Sequence, residues 1–476
     1  MSSCSSLEEE EEDDDVRFLL PQGVGDTEDV EKYKPGGFHP VHLGDRFDGG
    51  RYRIAHKLGA GGFSTVWLAR DEKRDKWMAL KVVDAEHSAS TAVKSAISHS
   101  LLAECGTACV AGPQEQFTLD GPNGRHLCLV LPVLGPSLSE LSYCFSCRLT
   151  PSFARRAAYQ ATKAVADLHS QGLCHGDVTT GNLLLGISDI NYYDEDGIYR
   201  LFGRPVIGAL ETESGEIPGP EAPRYIVKSM DFLSASSSIV TSDVTIVDFD
   251  QSFPISSPPK ELLGTPIDFL APEVAVSLAA SPASDVWALG CCIFRLRSGD
   301  GPFSNPFEVT SPADLISYIT HTLGKDMPHE WQDNTLWDSR GRPTKDARKG
   351  KPLNPWSGCE RSLHHIIYNI WDEPKGCTIR TGIQRSGRKL WLEHEHKPFH
   401  SSWSDMVWNP KAIKVDDVYL SGYNDEWDTL QRVLPKIPDH EATLLHDLLS
   451  KTFVYEPTRR PTAQEMLDHP WFHLKN

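Results

Sequence analysis

The stretch Leu58-Gly59-Ala60-Gly61-Gly62-Phe63-Ser64-Thr65-Val66 constrains this chain more than any other. Strand-like runs flank it, Arg51 to Leu58 and Phe63 to Arg70, with β-branched and aromatic residues at period-2 spacing. Glycines at positions 59, 61 and 62 of such a hairpin let backbone N–H groups approach phosphates, because no Cβ intervenes. A plain glycine hairpin explains the same residues. The next strand pattern, Trp77 to Val83, bears on the choice because it carries Lys81 inside an apolar run. A lysine on a buried face needs an anionic partner, and nucleotide phosphates supply one. The competing reading is an edge lysine that faces water.

Two further motifs carry oxygen ligands. In Cys174-His175-Gly176-Asp177-Val178-Thr179-Thr180-Gly181-Asn182, an Asp and an Asn five residues apart can serve as hydroxyl-orienting base and metal ligand. Ile246-Val247-Asp248-Phe249-Asp250 reads as a strand ending in a carboxylate, the kind of group magnesium takes beside phosphate oxygens. Either Asp could instead cap a turn.

Strand patterns dominate up to residue 134. They include a hairpin, Gln116 to Leu119 and His126 to Leu131, about the turn Asp120-Gly121-Pro122-Asn123-Gly124, and are interrupted by one helical pattern, Ser88 to Ala103. Helices follow. Thr150-Pro151 caps and opens one that runs to His169, and others read at Ser284 to Arg297, Pro312 to Leu323 and Asp439 to Phe453. Thr462 with Glu465 forms a capping box. Ser188 to Ser242 and residues 331–427 exceed ordinary connections. The second holds eight of the twelve tryptophans, which marks an ordered elaboration. The expected class is α+β, with a tail at 1–32, a sheet-rich unit at 33–134 and a helical unit at 135–476 carrying insertions near 188–242 and 331–432.

The 476 residues suffice for a large core without disulfide or metal staples. The net charge of −19 argues against binding nucleic-acid backbones and for basic partners. Residues 1–50 hold 14 Asp and Glu against 4 Lys and Arg, largely in the run Glu8 to Asp15. Such a run is expected to be a solvated, disordered tail, with an acidic docking arm as the alternative. No run of 18 apolar residues or secretory signal is visible, so no membrane partner is expected. Eleven cysteines, an odd count, suit reduced thiols. A zinc site would require Cys105, Cys109, Cys144 and Cys147 to converge.

The order of glycine loop, Lys81, Asp177 and Asn182, Asp248, Ala271-Pro272-Glu273, Ser284-Asp285-Val286-Trp287-Ala288-Leu289-Gly290 and Arg460-Pro461 resembles a eukaryotic serine/threonine protein kinase. Within kinases, Gly36-Gly37-Phe38-His39-Pro40-Val41-His42-Leu43-Gly44-Asp45, Phe63 to Ala69, Gly121 to Val130 and Leu134-Gly135-Pro136-Ser137-Leu138 look like the SR-protein kinase (SRPK) branch. The resemblance implies a two-lobed fold, a small β-rich N-lobe and a larger helical C-lobe, that uses ATP and Mg2+. It implies that Leu58 to Val66 cover the nucleotide, Lys81 holds its phosphates, and Leu131 and Val133 in the hinge meet adenine. Asp177 would orient the substrate hydroxyl, Asn182 and Asp248 would hold magnesium, and Glu273 would pair with Arg460. It further implies a monomer, cytoplasmic and nuclear, that phosphorylates basic Arg-Ser-rich splicing factors and so regulates mRNA splicing.

Four positions depart from the family pattern. Gly176 stands where many kinases have an arginine that reads a phosphorylated activation loop. Thr179 replaces a lysine whose preorganised charge is worth on the order of a few kcal/mol of barrier. Asp250 replaces a glycine. The helix at 88–103 has Ser95 or Ala96 where a glutamate usually pairs with the strand lysine, Glu86 being early and Glu104 late. Two other readings therefore stay open, a pseudokinase or scaffold and a small-molecule phosphotransferase. The latter enzymes share a loop like His175 to Asn182 but lack a peptide-positioning segment such as Gly264-Thr265-Pro266 to Glu273. Three lesser features have bland alternatives. His394, His396 and His400, with His364 and His365, could hold a metal or form a wet surface. The basic loop Arg340 to Lys351 could be an import signal or a solvated loop. Ser252, Ser256, Ser257 and Thr265 could accept phosphate.

Overall fold

The computed structural model describes residues 16–25, 27–92, 95, 109–142, 147–232, 239–259, 263–303, 309–353, 361–372, 378–385, 388–393, 406–408, 414–415, 418–419, 429 and 432–475. The described residues within 1–91, 114–132 and 191–231 form one compact unit, and those within 92–113, 133–190 and 232–476 form a second.

The first unit is built on the strand patterns. After a short strand β1 (Phe18–Leu19) come β2 (Arg46–Phe47), β3 (Tyr52–Ala60), β4 (Ser64–Asp71), β5 (Lys76–Val83), β6 (Glu115–Gly121) and β7 (Gly124–Leu131). The last six make an antiparallel sheet in the order β2-β3-β4-β5-β7-β6. Pro122 and Asn123 close the β6–β7 hairpin between the paired Gly121 and Gly124. One face buries Tyr52, Ile54, Trp67, Ala69, Met78, Leu80, Val82, Cys128 and Val130 in a common core with Val41 and Phe47, as alternation in a half-buried sheet requires.

Residues 191–231 belong to this unit, whereas their place in the sequence assigns them to the helical one. Asp194 caps a helix, Glu195–Phe202, which ends at Gly203 with φ +88°. The segment grips the sheet through the Asn191 side chain, which accepts from the Trp77 N–H at 2.7 Å, and the Tyr193 carbonyl, which accepts from the Trp77 indole at 2.9 Å. Of the segment 1–32 expected as a disordered tail, the described residues 16–25 and 27–32 pack on this unit. Residues 1–15, with the run Glu8 to Asp15, lie outside the described residues, but β1 pairs with Glu211–Thr212 and Val30–Lys32 form a 3-10 turn. Phe18, Val24, Val30, Tyr33 and Phe38 bury against Leu210, Ala222 and Ile226 in a separate small core. The apolar residues before position 33 are too sparse to read as a core until these distant partners are known.

In the second unit, the Thr150 hydroxyl accepts from the Phe153 N–H at 3.3 Å and Pro151 opens the helix Pro151–Ser170. Its buried face is mostly alanine, at 154, 157, 158, 161 and 164, which lets the helix Pro282–Ser298 pack closely against it. That second helix is buried on nearly every side, as a central helix must be. Trp287 stacks on Phe303 with ring centroids 5.2 Å apart, and Phe453 meets both. Helices Pro312–Leu323 and Asp439–Thr452 and the Thr462–Glu465 capping box stand where the patterns put them. In the long second insertion, the described helix Leu363–Tyr368 buries Leu363 and Ile367. His364 and His365 are exposed there, while His394, His396 and His400 lie outside the described residues. All six Lys and Arg of Arg340 to Lys351 are exposed, as in a solvated loop. Cys105 and Cys144 are outside the described residues, and no described helix is long and apolar enough to cross a membrane.

Candidate active site

In the sheet unit, β3 and β4 pair from Tyr52–Asp71 to Ala60–Thr65, leaving Gly61, Gly62 and Phe63 as the turn. A Cβ on Gly59, Gly61 or Gly62 would meet no atom within 4 Å. Packing within the protein therefore does not require glycine at any of the three, which suits a backbone that a ligand approaches. Leu58 and Val66 are half-buried, Ala60 and Phe63 exposed, and Ser64 and Thr65 buried, the Thr65 hydroxyl accepting from the Trp67 indole at 2.9 Å. Lys81 pairs with Val66 on one side and Leu129 on the other and is 6% exposed, so it is an interior strand lysine and not an edge one. Leu131, at the end of β7, and Val133, two residues on in the helical unit, are half-buried.

In the helical unit, the loop after Leu173–Cys174 is held from both ends. The Asp285 carboxylate accepts the His175 N–H at 2.8 Å and the Gly176 N–H at 2.9 Å, and its Oδ2 lies 3.0 Å from His169 Nε2. The Asp177 N–H donates to His175 Nδ1 at 3.2 Å, so the ring proton sits on Nε2 and donates to the Val247 carbonyl at 3.0 Å. Asp177 Oδ2 accepts from the Asn182 amide at 2.8 Å, and the same amide donates to the Asp177 carbonyl at 2.9 Å. Asp177 Oδ1 is buried and has no partner among the described residues. Burial pushes the Asp177 pKa up to about 6; His175 and the Asn182 amide oppose the shift, and Asp248 and Asp285 add to it. Asp248 follows the strand Val240–Ile246 with φ +67°, a left-handed conformation uncommon for a non-glycine residue.

The structure thus gathers Asp177, Asn182 and Asp248 in one unit, and the glycine loop and Lys81 in the other. Their chemistry is that of oxygen donors in the first and of open backbone beside a buried cation in the second. A protein kinase domain profile matches residues 52–193 and 228–472. The chain belongs to the protein kinase family. The break in the match falls on the insert that joins the sheet unit. The kinase is similar to dsk1 of Schizosaccharomyces pombe, 37% identical over 182 residues that cover 37% of this chain and 32% of dsk1. It is similar to the serine/threonine-protein kinase SRPK of Physarum polycephalum, 29% identical over 467 residues, 94% of this chain and 92% of that one. Human SRSF protein kinase 3 is 34% identical over 179 residues, 36% of this chain and 31% of the relative. The matched segments span about a third of the length of dsk1 and of SRSF protein kinase 3.

The departures from the kinase pattern have local causes. Gly176 has φ +77°, and a Cβ there would stand 2.3 Å from the Gln251 carbonyl oxygen. The Thr265 hydroxyl donates to the Gly176 carbonyl at 2.6 Å. The chain after Asp248 therefore fills the place where an arginine side chain would begin. Thr179, in the lysine position, accepts the Asn182 N–H at 3.2 Å and so caps the turn that presents Asn182. Its spacing three residues before Asn182 is the signal that sequence reasoning passed over. Ser95 is buried, and Ala96 and Glu104 lie outside the described residues. Glu273 and Arg460 do pair, fully buried, at 2.8 and 2.7 Å. Ser252 is buried and donates to the Phe249 carbonyl at 2.7 Å, while Ser256 and Ser257 are exposed. His169, Cys174 and Asp285 cluster within 4.8 Å. Burial raises the Cys174 thiol far above its ordinary value, and Asp285 is already taken by three donors, so the cluster is a hydrogen-bonded support.

Proposed function

We propose that this kinase transfers the γ-phosphoryl group of Mg-ATP to serines in basic, Arg-Ser-rich protein segments. The observation that carries the reading is Asp177, with one carboxylate oxygen fixed by Asn182 and the other buried and unpartnered. That orphaned acceptor is what a substrate hydroxyl needs. Asp177 orients the hydroxyl and takes its proton as the oxygen attacks the γ-phosphorus and the bond from that phosphorus to the ADP oxygen breaks. The backbone of Leu58 to Val66 and the Lys81 ammonium hold the nucleotide phosphates, and Leu131 and Val133 contact the adenine. Asn182 and Asp248 supply oxygen donors only, which fit a hard cation. Magnesium, when bound, neutralises charge on the phosphates. Thr179 keeps Asn182 in place but supplies no cation, which is the specific observation favouring a slow enzyme or scaffold as the second reading.

Support for the substrate class is the similarity to kinases named for SRPK and SRSF, together with the acidic net charge. The test incubates the full chain with Mg-ATP and an Arg-Ser repeat peptide. Asp177→Asn is expected to lower transfer by about 100-fold or more. Transfer no greater in wild type than in that variant removes the enzyme reading. Absence of thermal stabilisation by Mg-ATP as well leaves the scaffold. Transfer is expected to weaken between low and physiological salt, and a flat profile argues against a charge-selected substrate.

A further inference from the structure

We propose that residues 27–38 form a strap that positions the glycine loop, with Lys32 as its acting group. The proposal rests on the reading that this loop covers ATP. The strap meets the loop at two points. At the tip, the Lys32 ammonium donates to the Gly62 carbonyl and stands 5.2 Å from the Phe63 ring centroid. Phe63 also meets the His87 ring, at 4.5 Å, and its carbonyl accepts from the Asp84 N–H at 2.9 Å. At the ascending strand, Lys57 of β3 pairs with Glu28 of the strap, both side chains buried, and the Tyr33 hydroxyl donates to the same carboxylate at 2.7 Å.

The strap itself is rigidly mounted. Asp29 caps the turn that carries Lys32, accepting the Glu31 N–H at 3.0 Å. The Lys32 carbonyl accepts the Phe38 N–H at 2.8 Å. Gly37 is required there, since a Cβ would lie 1.8 Å from that carbonyl oxygen. The Gly36 carbonyl accepts from Glu86 and the Gly37 carbonyl from Ala85, just past β5. Beneath lies the insert: Leu210, Ala222 and Ile226 bury Val30, Tyr33 and Phe38. The Met230 N–H donates to the Lys57 carbonyl at 2.9 Å, so the insert also touches the loop's strand directly. Lys32 thus places a positive charge at the tip of a loop whose task is to hold anions, on a mount anchored in the insert's small core and past β5.

The test uses the full chain with Lys32→Met, which keeps the apolar stem and loses the charge, and Lys32→Arg. Hydrogen exchange of the amides of residues 60–64 is read without nucleotide, and KM for Mg-ATP and kcat are read separately. Lys32→Met is expected to speed exchange about tenfold and raise KM about tenfold, with kcat and the melting temperature little changed. Lys32→Arg is expected to restore both. Unchanged exchange in Lys32→Met overturns the strap, as does failure of arginine to rescue or a loss confined to kcat. If wild type transfers no phosphate, the functional reading fails, while the exchange measurement still decides whether Lys32 holds the loop.

Discussion

His39 offers a direct test of how burial governs this fold. Its ring is 8% exposed, lies 5.0 Å from the His126 ring and 5.8 Å from Phe47, and sits so close beneath Gly121 that a Cβ there would approach its Nδ1 to 2.3 Å. His126 Nδ1 bonds the Val83 carbonyl at 3.0 Å and so carries the proton, which leaves Nε2 a bare, buried acceptor without a partner. Burial, reinforced by His126, lowers the His39 pKa from 6.5 to about 4; Asp45 opposes the shift and His42 adds to it weakly. The folded pKa lies below the unfolded one, so between the two values only the unfolded chain binds the proton. Stability is then fully present above pH 6.5 and falls as pH drops toward 4. At about 1.4 kcal/mol per pKa unit, this one group accounts for about 3 kcal/mol. The losses of Asp45 and Glu28 come later, below their ordinary carboxylate values, because their pKa values are lowered too. The assay is urea unfolding from pH 7.5 to 4.5, with the His39 ring followed by NMR. His39→Phe is expected to reduce the pH dependence by the share of His39, while His56 and His126, whose pKa values burial also lowers, keep theirs. A His39 that titrates near 6.5 in the folded protein, or a variant that loses stability in parallel with wild type, refutes the reasoning.

Two other perturbations follow from buried geometry. Lys57→Met leaves the Glu28 carboxylate unpaired at 1% exposure and is expected to cost about 3–5 kcal/mol, while Glu28→Gln with Lys57→Met costs less than the two single changes combined; additive losses in urea unfolding contradict this. Gly176→Ala forces a backbone with φ +77° against the Gln251 carbonyl and is expected to cost about 1–3 kcal/mol in thermal unfolding. An unchanged melting temperature removes that account of why glycine stands there.

What was legible in the sequence was whatever repeats or lies close together along the chain. The period-2 runs at β3, β4 and β5 announced the sheet, and the five-residue spacing of Asp177 and Asn182 announced the loop. The Thr150-Pro151 cap marked the start of its helix to the residue. What stayed hidden depends on partners far apart in sequence. Phe18, Val24 and Val30 look like an unstructured lead-in until Leu210 and Ile226 cover them. Lys57 looks like a surface residue in an alternating strand, since nothing nearby in sequence reveals Glu28 across from it. Thr179 reads as a lost lysine, because a family pattern records the missing charge and not the cap that the hydroxyl supplies.

The same contrast explains why the insert should not be regarded as a passive interruption. The family match stops at 193 and resumes at 228, so the kinase pattern itself is indifferent to what lies between. The described residues of that stretch nonetheless supply one wall of a second small core, three residues of which belong to the strap that holds the glycine loop. Fully burying a single large apolar side chain contributes roughly 1.5–3 kcal/mol. Tyr33 and Phe38 alone, each 1% exposed, therefore make the insert a structural partner of the N-terminal segment. The two pieces are about 190 residues apart at the β1 pairing with Glu211–Thr212, and they cover each other in this small core. A chain that shortened the insert would have to find new cover for the strap, or lose the contacts that fix Lys57 and Gly62.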